Sequence, residues 1–450
     1  MPDKTRTDQL FSESSELKRS LGFFDATMIV VGMVIGSGIF LTTGIMAESL
    51  PNPVWILAVW GIGGLLSLCG ALTFAELGAM MPRAGGQYVF LREGFGDLAG
   101  FLFGWTYLLV VQSGSVAAIA VGFGEYFRYF FPFLPAAGTA IVVTLILSWI
   151  NYRGVEESSL VQNVLTSAKI LAILAIGGAG IYFLNWGPEA EKFAFQAPGA
   201  QFPALSAFGV AMIAVLWTFD GWNCVTFNAG EIKNPRRNLP WALILGTLTV
   251  TICYMILNYV YLKALPLEEL AGTVRVAEAA ISAIFSPTAT VLIVLAVLVS
   301  TLGSVNACIL TGPRIYYAMS RDRLFFRGLA EIHPRFGTPA RAVLIQGVVS
   351  IIFALSGTYD QLFTMVMVAA MAFYGATGFS VFILRRKYPD AERSYKTPGY
   401  PVTPILYVGS TVLILLNSLV ERPWESLWGC LIVLSGVPVY LYWKRRTNRA

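Results

Sequence analysis

Twelve apolar runs separated by short polar connections fill the chain from Phe23 to Trp443. A hydrocarbon core about 30 Å thick takes about 20 apolar residues per helix. On that count the spans fall at 23–47, 54–80, 97–128, 136–151, 158–184 and 204–229, then at 239–262, 281–317, 341–357, 361–384, 404–420 and 427–443. The fourth and ninth runs are short. The apolar stretch after Ser20 is too long for a signal-peptide core, and it reads as the first span. The pattern therefore predicts an all-α membrane protein of twelve transmembrane helices. It has a cytoplasmic segment at 1–22, one transmembrane domain at 23–443 and a tail at 444–450.

Composition agrees. Of the 450 residues, 56% are hydrophobic and 13% are charged, about half the charge of a soluble chain. Lysines and arginines sort by side. The segments expected inside hold 25 of the 31, the outer loops hold Arg128, Lys192, Lys263, Arg275 and Arg422, and Lys169 belongs to neither set. The positive-inside rule then puts both termini in the cytoplasm, with the chain in the plasma membrane. Topology also accounts for the net charge of +5, which leaves no call for a nucleic-acid partner. The five cysteines (Cys69, Cys224, Cys253, Cys308, Cys430) lie in apolar segments without metal-ligand spacing. They read as buried structural thiols. The single histidine, His333, sits in a basic loop beside Pro334. No metal, no cofactor and no catalytic group is predicted, and the chain does not read as an enzyme.

Function is expected where the sequence breaks the rules of a lipid environment, because unpaired backbone survives there only along a cavity. The first break is Val34-Ile35-Gly36-Ser37-Gly38-Ile39-Phe40, in mid-span 1. Gly32 and Gly36 alone would fit helix packing. Gly36-Ser37-Gly38 fits unwinding better, and an unwound helix offers a second half whose N–H groups and dipole suit a carboxylate. The second is Trp217-Thr218-Phe219-Asp220-Gly221-Trp222 in span 6, where an acid deep in the membrane costs roughly 3 kcal/mol unless it faces protein or water. An aspartate capping the second half-helix is the other reading, and it too requires a break. The third is Lys169, halfway along span 5, which reads either as a staple on unwound backbone or as a proton-coupling group. Gly36 and Asp220 stand 184 positions apart. An interrupted helix at the start of each half points to an inverted repeat with the site between the halves, at about 23–184 and 204–384, with helices at 404–443 appended.

These residues resemble the amino acid–polyamine–organocation superfamily, most closely its L-type amino acid transporter branch in a bacterial form. The matching stretches are Gly36-to-Phe40, Pro82-Arg83-Ala84-Gly85-Gly86-Gln87-Tyr88, Asn151-Tyr152-Arg153-Gly154-Val155, Trp217-to-Asn223 and Gly230-Glu231-Ile232-Lys233-Asn234-Pro235 through Pro240. The resemblance implies a LeuT-like fold of five-plus-five inverted repeats with helices 1 and 6 broken. It implies a solute carboxylate on the N–H groups of Ser37, Gly38 and Ile39, and an ammonium on the carbonyls of Val34, Trp217, Thr218 and Asp220, with Gly36 and Gly221 in the breaks. Trp217 falls at an aromatic gate. Lys169 takes the place of a sodium ion and ties span 1 to span 8 near Ser304 or Cys308. The side-chain pocket draws on Val111 and Ser115 of span 3, on span 8, and on Ala370 and Tyr374 of span 10. The function implied is sodium-independent transport of neutral L-amino acids by alternating access. Exchange is the leading coupling mode and proton-linked uptake stays open. Heteromeric human members attach to a partner through a cysteine after span 3; the loop from Arg128 to Ala137 has none, so the resemblance implies a stand-alone monomer. An ion channel would need a filter motif or charge rings, and neither is present in the sequence.

Overall fold

A computed structural model describes residues 10–12, 17–50, 52–188, 190–192, 202–285, 287–356, 359–421 and 423–447. Among these residues the chain is helical, with one isolated β-bridge between Leu21 and Ile232. Among the described residues nine helices are long and apolar enough to cross a bilayer: Pro53–Met80, Asp97–Phe127, Ala136–Arg153, Val155–Trp186, Leu205–Glu231, Pro235–Ala264, Thr290–Arg321, Val402–Glu421 and Ser426–Arg445. The interrupted first span (Phe23–Val34 and Thr42–Ser49) and the helices Ala340–Ser356 and Tyr359–Lys387 bring the number to the twelve expected.

Prolines set several of the starts. Pro53, Pro235, Pro287 and Pro313 each occupy the first position of a helix, where the missing N–H costs nothing. Asn52 caps span 2 by accepting the Val54 and Trp55 N–H groups at 3.1 and 3.2 Å. Two elements differ from the expectation. The sequence predicts the eighth span from 281, but Val276–Ile284 is a helix of its own. Phe285 is extended (φ −122°, ψ 172°) and Pro287 opens the next helix, so two elements are hidden in one continuous apolar stretch. Gln87–Phe95 is a separate buried helix before span 3, set between Gly86 and Gly96, whose φ values of 39° and 96° turn the chain at both ends.

Span 5 (Val155–Trp186) illustrates how lipid inverts the usual burial. Its outer face carries Leu160, Val164, Leu171 and Leu174, all exposed, while Ser158, Gln162, Thr166 and Lys169 are buried at one-turn spacing against the bundle. A polar side chain finds partners only inward. Span 5 packs on the first half of span 1 and on span 8. Gly32 makes the first contact possible, since a Cβ there would lie 1.9 Å from Gln162 Nε2.

At the end of the bundle where span 1 begins, a polar layer closes the centre. The Leu21 N–H donates to the Glu231 carbonyl (3.0 Å) and the Lys233 N–H to that of Leu21 (2.8 Å). Arg19 donates to the carbonyls of Ala229 and Ile232 at 2.9 and 2.6 Å. Beneath them Arg314 of span 8 clasps Glu231 with two bonds of 2.9 Å, each side chain 1% exposed. Asn228 adds a third bond to the same carboxylate at 2.7 Å.

Candidate functional site

Span 1 stops being helical after Val34. The Gly36 N–H turns back to the Val34 carbonyl at 2.8 Å, and residues 38–40 form a single tight turn before helix resumes at Thr42. The first half therefore ends at mid-membrane with carbonyls that have no partner inside the helix. Four side chains supply those partners. Lys169 Nζ donates to the carbonyls of Gly32 (2.9 Å), Ile35 (2.6 Å) and Ser300 (2.9 Å), and lies 3.2 Å from Ser304 Oγ. Ser300 reaches the Ile35 carbonyl at 3.0 Å, and Ser304 reaches those of Gly32 and Ile35 at 2.8 and 2.9 Å. The fourth is Tyr254 of span 7, whose hydroxyl lies 2.8 Å from the Val34 carbonyl. Lys169, only 1% exposed, thus places its charge at the negative end of the first half-helix.

Span 6 breaks opposite. Its first half, Leu205–Phe219, ends at Asp220, which is extended (φ −61°, ψ 149°), and Gly221 follows at φ 102°. Two constraints require that glycine: the positive φ, and a Cβ position 2.5 Å from Met33 Cγ. The chain resumes as a 3₁₀ helix, Trp222–Glu231. The Asp220 carboxylate accepts the Tyr374 hydroxyl of span 10 at 2.5 Å and a backbone hydrogen bond from Gly221 in the turn that follows. The two breaks meet at Gly38 and Thr218, where a Cβ on Gly38 would sit 2.8 Å from Thr218 Oγ1. The same hydroxyl lies 3.0 Å from Thr42 Oγ1. Tyr254 ties the breaks together, since its hydroxyl is also 2.9 Å from the Thr218 carbonyl.

Between the breaks lies a cleft with about 390 Å³ of empty space, walled by span 1 from Met33 to Gly38, span 6 from Trp217 to Gly221, Ser115 and Ile119 of span 3, and Cys308 of span 8. It gathers Val34, Gly36, Ser37, Gly38, Ser115, Trp217, Thr218, Asp220 and Gly221 of the residues expected from sequence. Ile39 and Val111 are not on its wall. Ile39 belongs to the tight turn and is fully buried in the core. Val111 ends a π-helical turn, Tyr107–Val111, one turn before Ser115, whose hydroxyl donates to its carbonyl at 2.6 Å, and it is buried beside the cleft. Ser304 stands behind span 1 with Lys169. Tyr374 is present through Asp220, while Ala370 is buried in span 10. Cys430 corrects a further expectation, being exposed on the last span where the other four cysteines are buried.

Sequence reasoning missed Tyr254, Ser300, Met33 and Ile119. The only available signal for Tyr254 was a phenol inside an apolar run, which is as often plain packing. The Val34 carbonyl has two donors within reach. It accepts the Gly36 N–H at 2.8 Å and shares the single proton of the Tyr254 hydroxyl with the Thr218 carbonyl.

Two spans unwound opposite each other around a shared cleft define a secondary transporter, a carrier rather than an enzyme. The amino acid permease family model matches residues 21–437, and the chain belongs to that family. It is 32% identical over 465 residues to the b(0,+)-type amino acid transporter 1 of Mus musculus, covering 99% of this chain and 94% of the relative. It is 31% identical over 442 residues to the serine/threonine exchanger SteT of Bacillus subtilis (strain 168), covering 97% and 99%. It is 31% identical over 443 residues to the large neutral amino acids transporter small subunit 2 of Mus musculus, covering 96% and 82%. The protein is a multi-pass membrane transporter of amino acids.

Proposed function

We propose that the chain exchanges neutral L-amino acids across the plasma membrane without sodium, by alternating access around the cleft between spans 1 and 6. The observation that carries this reading is the chemical polarity of the cleft. One wall runs from Gly38 through the tight turn 38–40 into the helix Thr42–Ser49, whose positive dipole end faces the break. The other wall presents the carbonyl end of a half-helix and the Asp220 carboxylate. An α-amino acid carries the complementary pair. Its carboxylate goes to the N–H groups of Ser37 and Gly38, and its ammonium to Asp220 and the Thr218 carbonyl.

Tyr254 fits this assignment. A phenol has one proton, and here it faces two carbonyls, Val34 and Thr218. At any moment one of them keeps a free acceptor site, and Thr218 is the one with capacity left for an ammonium. Met33, Ile119 and Cys308 leave only small, mostly apolar space for the side chain, which favours neutral solutes of small to medium size. Trp217 at the rim is the gate. Lys169 occupies with a fixed charge the place where a mobile cation would otherwise complete the carbonyl cage. Sodium then has no role, and exchange is favoured by the likeness to a relative named as an exchanger. Residues 23–184 and 204–384 form the two inverted repeats, and both termini lie in the cytoplasm. On this orientation the Glu231–Arg314 layer closes the inner side. The chain works as a monomer without a covalent partner.

A panel of the twenty L-amino acids competing against labelled L-serine uptake, in sodium-free proteoliposomes, tests the proposal. Competition by small and medium neutral L-amino acids, with no effect of sodium or of D-isomers, is expected. Uptake that requires sodium, or that ignores chirality, would overturn it.

A further inference from the structure

Asp220 borders a second cavity on the side away from the cleft. This chamber has about 330 Å³ of empty space and is lined by spans 2, 6, 10 and 11, with Ser67, Tyr374, Tyr407, Ser410 and Thr411 as its polar members. Two of them, Ser67 Oγ and Tyr407 OH, are buried and have no hydrogen-bond partner in the protein among the described residues. Tyr407 is held in place by packing. Its ring fills the notches at Gly70 and Gly378, where a Cβ would come within 2.6 and 2.8 Å of ring carbons. The cavity has room for a water beside these two buried hydroxyls, and a buried hydroxyl without a protein partner is satisfied that way.

The carboxylate between the two cavities also lacks a counter-charge. Among the described residues Asp220 has no ion pair, and the titratable side chains that face it are Tyr107 of span 3, Cys224 of span 6, Cys308 of span 8, Tyr374 of span 10 and Tyr407 of span 11. None is a cation. Lys169 spends its donors on the span 1 and span 8 acceptors. A buried carboxylate without a cation is costly, and the Tyr374 hydroxyl and the Gly221 N–H, both neutral donors, offset only part of that cost.

We propose that the chamber is a resident water site, and that a proton and the solute ammonium compete for Asp220. In the empty carrier the carboxylate takes a proton. An arriving ammonium displaces that proton to a chamber water held by Ser67 and Tyr407, which passes it to solvent; no bond other than the O–H bond is exchanged. Ser67 and Tyr407 are positioning residues: they hydrate the anionic form without touching the solute. Span 11, outside the ten repeat helices, is thereby part of the working site. This inference rests on the amino acid reading above.

The test is binding of labelled L-serine to the purified full chain across the pH range in which it stays folded. Affinity is expected to fall about tenfold per pH unit on the acid side of a midpoint. Ser67→Ala and Tyr407→Phe together are expected to raise that midpoint by about one pH unit, the worth of a hydrogen bond to a carboxylate, with affinity on the alkaline side unchanged. A carboxylic-acid C=O stretch should be present in the infrared spectrum of the empty protein, vanish when L-serine is added, and be missing from Asp220→Asn. Binding that is strong but independent of pH, an unmoved midpoint in the double variant, or no solute-sensitive carboxylic-acid band each overturns the inference and leaves the amino acid reading standing. Absence of binding at every pH overturns both.

Discussion

The Lys169 ammonium lies 2.6 Å from the carbonyl oxygen of Ile35, at the point where span 1 ceases to be a helix. A cation thus sits at the end of the first half-helix, where the unpaired carbonyls and the dipole both favour it. Lys169→Met keeps the length of the side chain and removes its donors. Each buried carbonyl left short of a partner costs about 1–3 kcal/mol. The variant should lose transport at least tenfold and melt at a lower temperature in detergent. Normal transport with unchanged melting would mean that Ser300 and Ser304 suffice to hold the break.

Gly38 and Thr218 bring the two breaks into contact, with room for a hydrogen and not for a methyl group. Overpacking of this kind costs about 1–3 kcal/mol. Gly38→Val should abolish uptake while the protein still inserts and can be purified. Gly38→Ala should be impaired less, and Thr218→Ala should relieve it, because that substitution removes the two nearest atoms and keeps the backbone carbonyl. A double variant no better than Gly38→Ala would show that the glycine serves flexibility rather than close approach.

Tyr254→Phe removes the proton shared by the Val34 and Thr218 carbonyls. The lost hydrogen bond is worth about 0.5–1.5 kcal/mol. The half-saturation concentration for uptake should change by roughly two- to tenfold with expression intact. An unchanged value would mean that the phenol only fills space.

Arg314 and Glu231 form a bidentate pair with both side chains 1% exposed. Removing one partner leaves a buried charge alone, a loss of roughly 3–5 kcal/mol, whereas replacing both with apolar residues can be nearly neutral. Glu231→Met or Arg314→Met alone should therefore lower the melting temperature more than the double variant does. Singles that melt like the unaltered protein would contradict the buried pair. If the layer opens during each cycle, the double variant should also alter the rate of exchange.

Much of this was legible in the sequence because lipid tolerates so few exceptions. Gly36-Ser37-Gly38, Asp220-Gly221 and Lys169 stand out from apolar surroundings, and all three lie at the centre of the bundle. What stayed hidden depended on geometry that periodicity does not carry. Val111 lies buried one turn before Ser115, beside the cleft rather than on its wall. The helix Val276–Ile284 is not separable from span 8 by pattern, as its apolar positions run on into the next element. Glu231 and Arg314 are 83 positions apart, and each reads alone as an ordinary charge near a membrane surface. Tyr254 is the most instructive omission. Its ring packs against Trp60 and Phe219 as any core aromatic would, and only its hydroxyl reveals the second role.

Exchange at the cleft is tested most directly by comparing uptake of labelled L-serine into sodium-free proteoliposomes that are empty or preloaded with unlabelled L-serine. Rapid uptake into preloaded vesicles, slow uptake into empty ones and indifference to a protonophore are predicted. Uptake that is equally fast into empty vesicles and collapses when the protonophore is added would contradict exchange and establish proton-driven symport in its place.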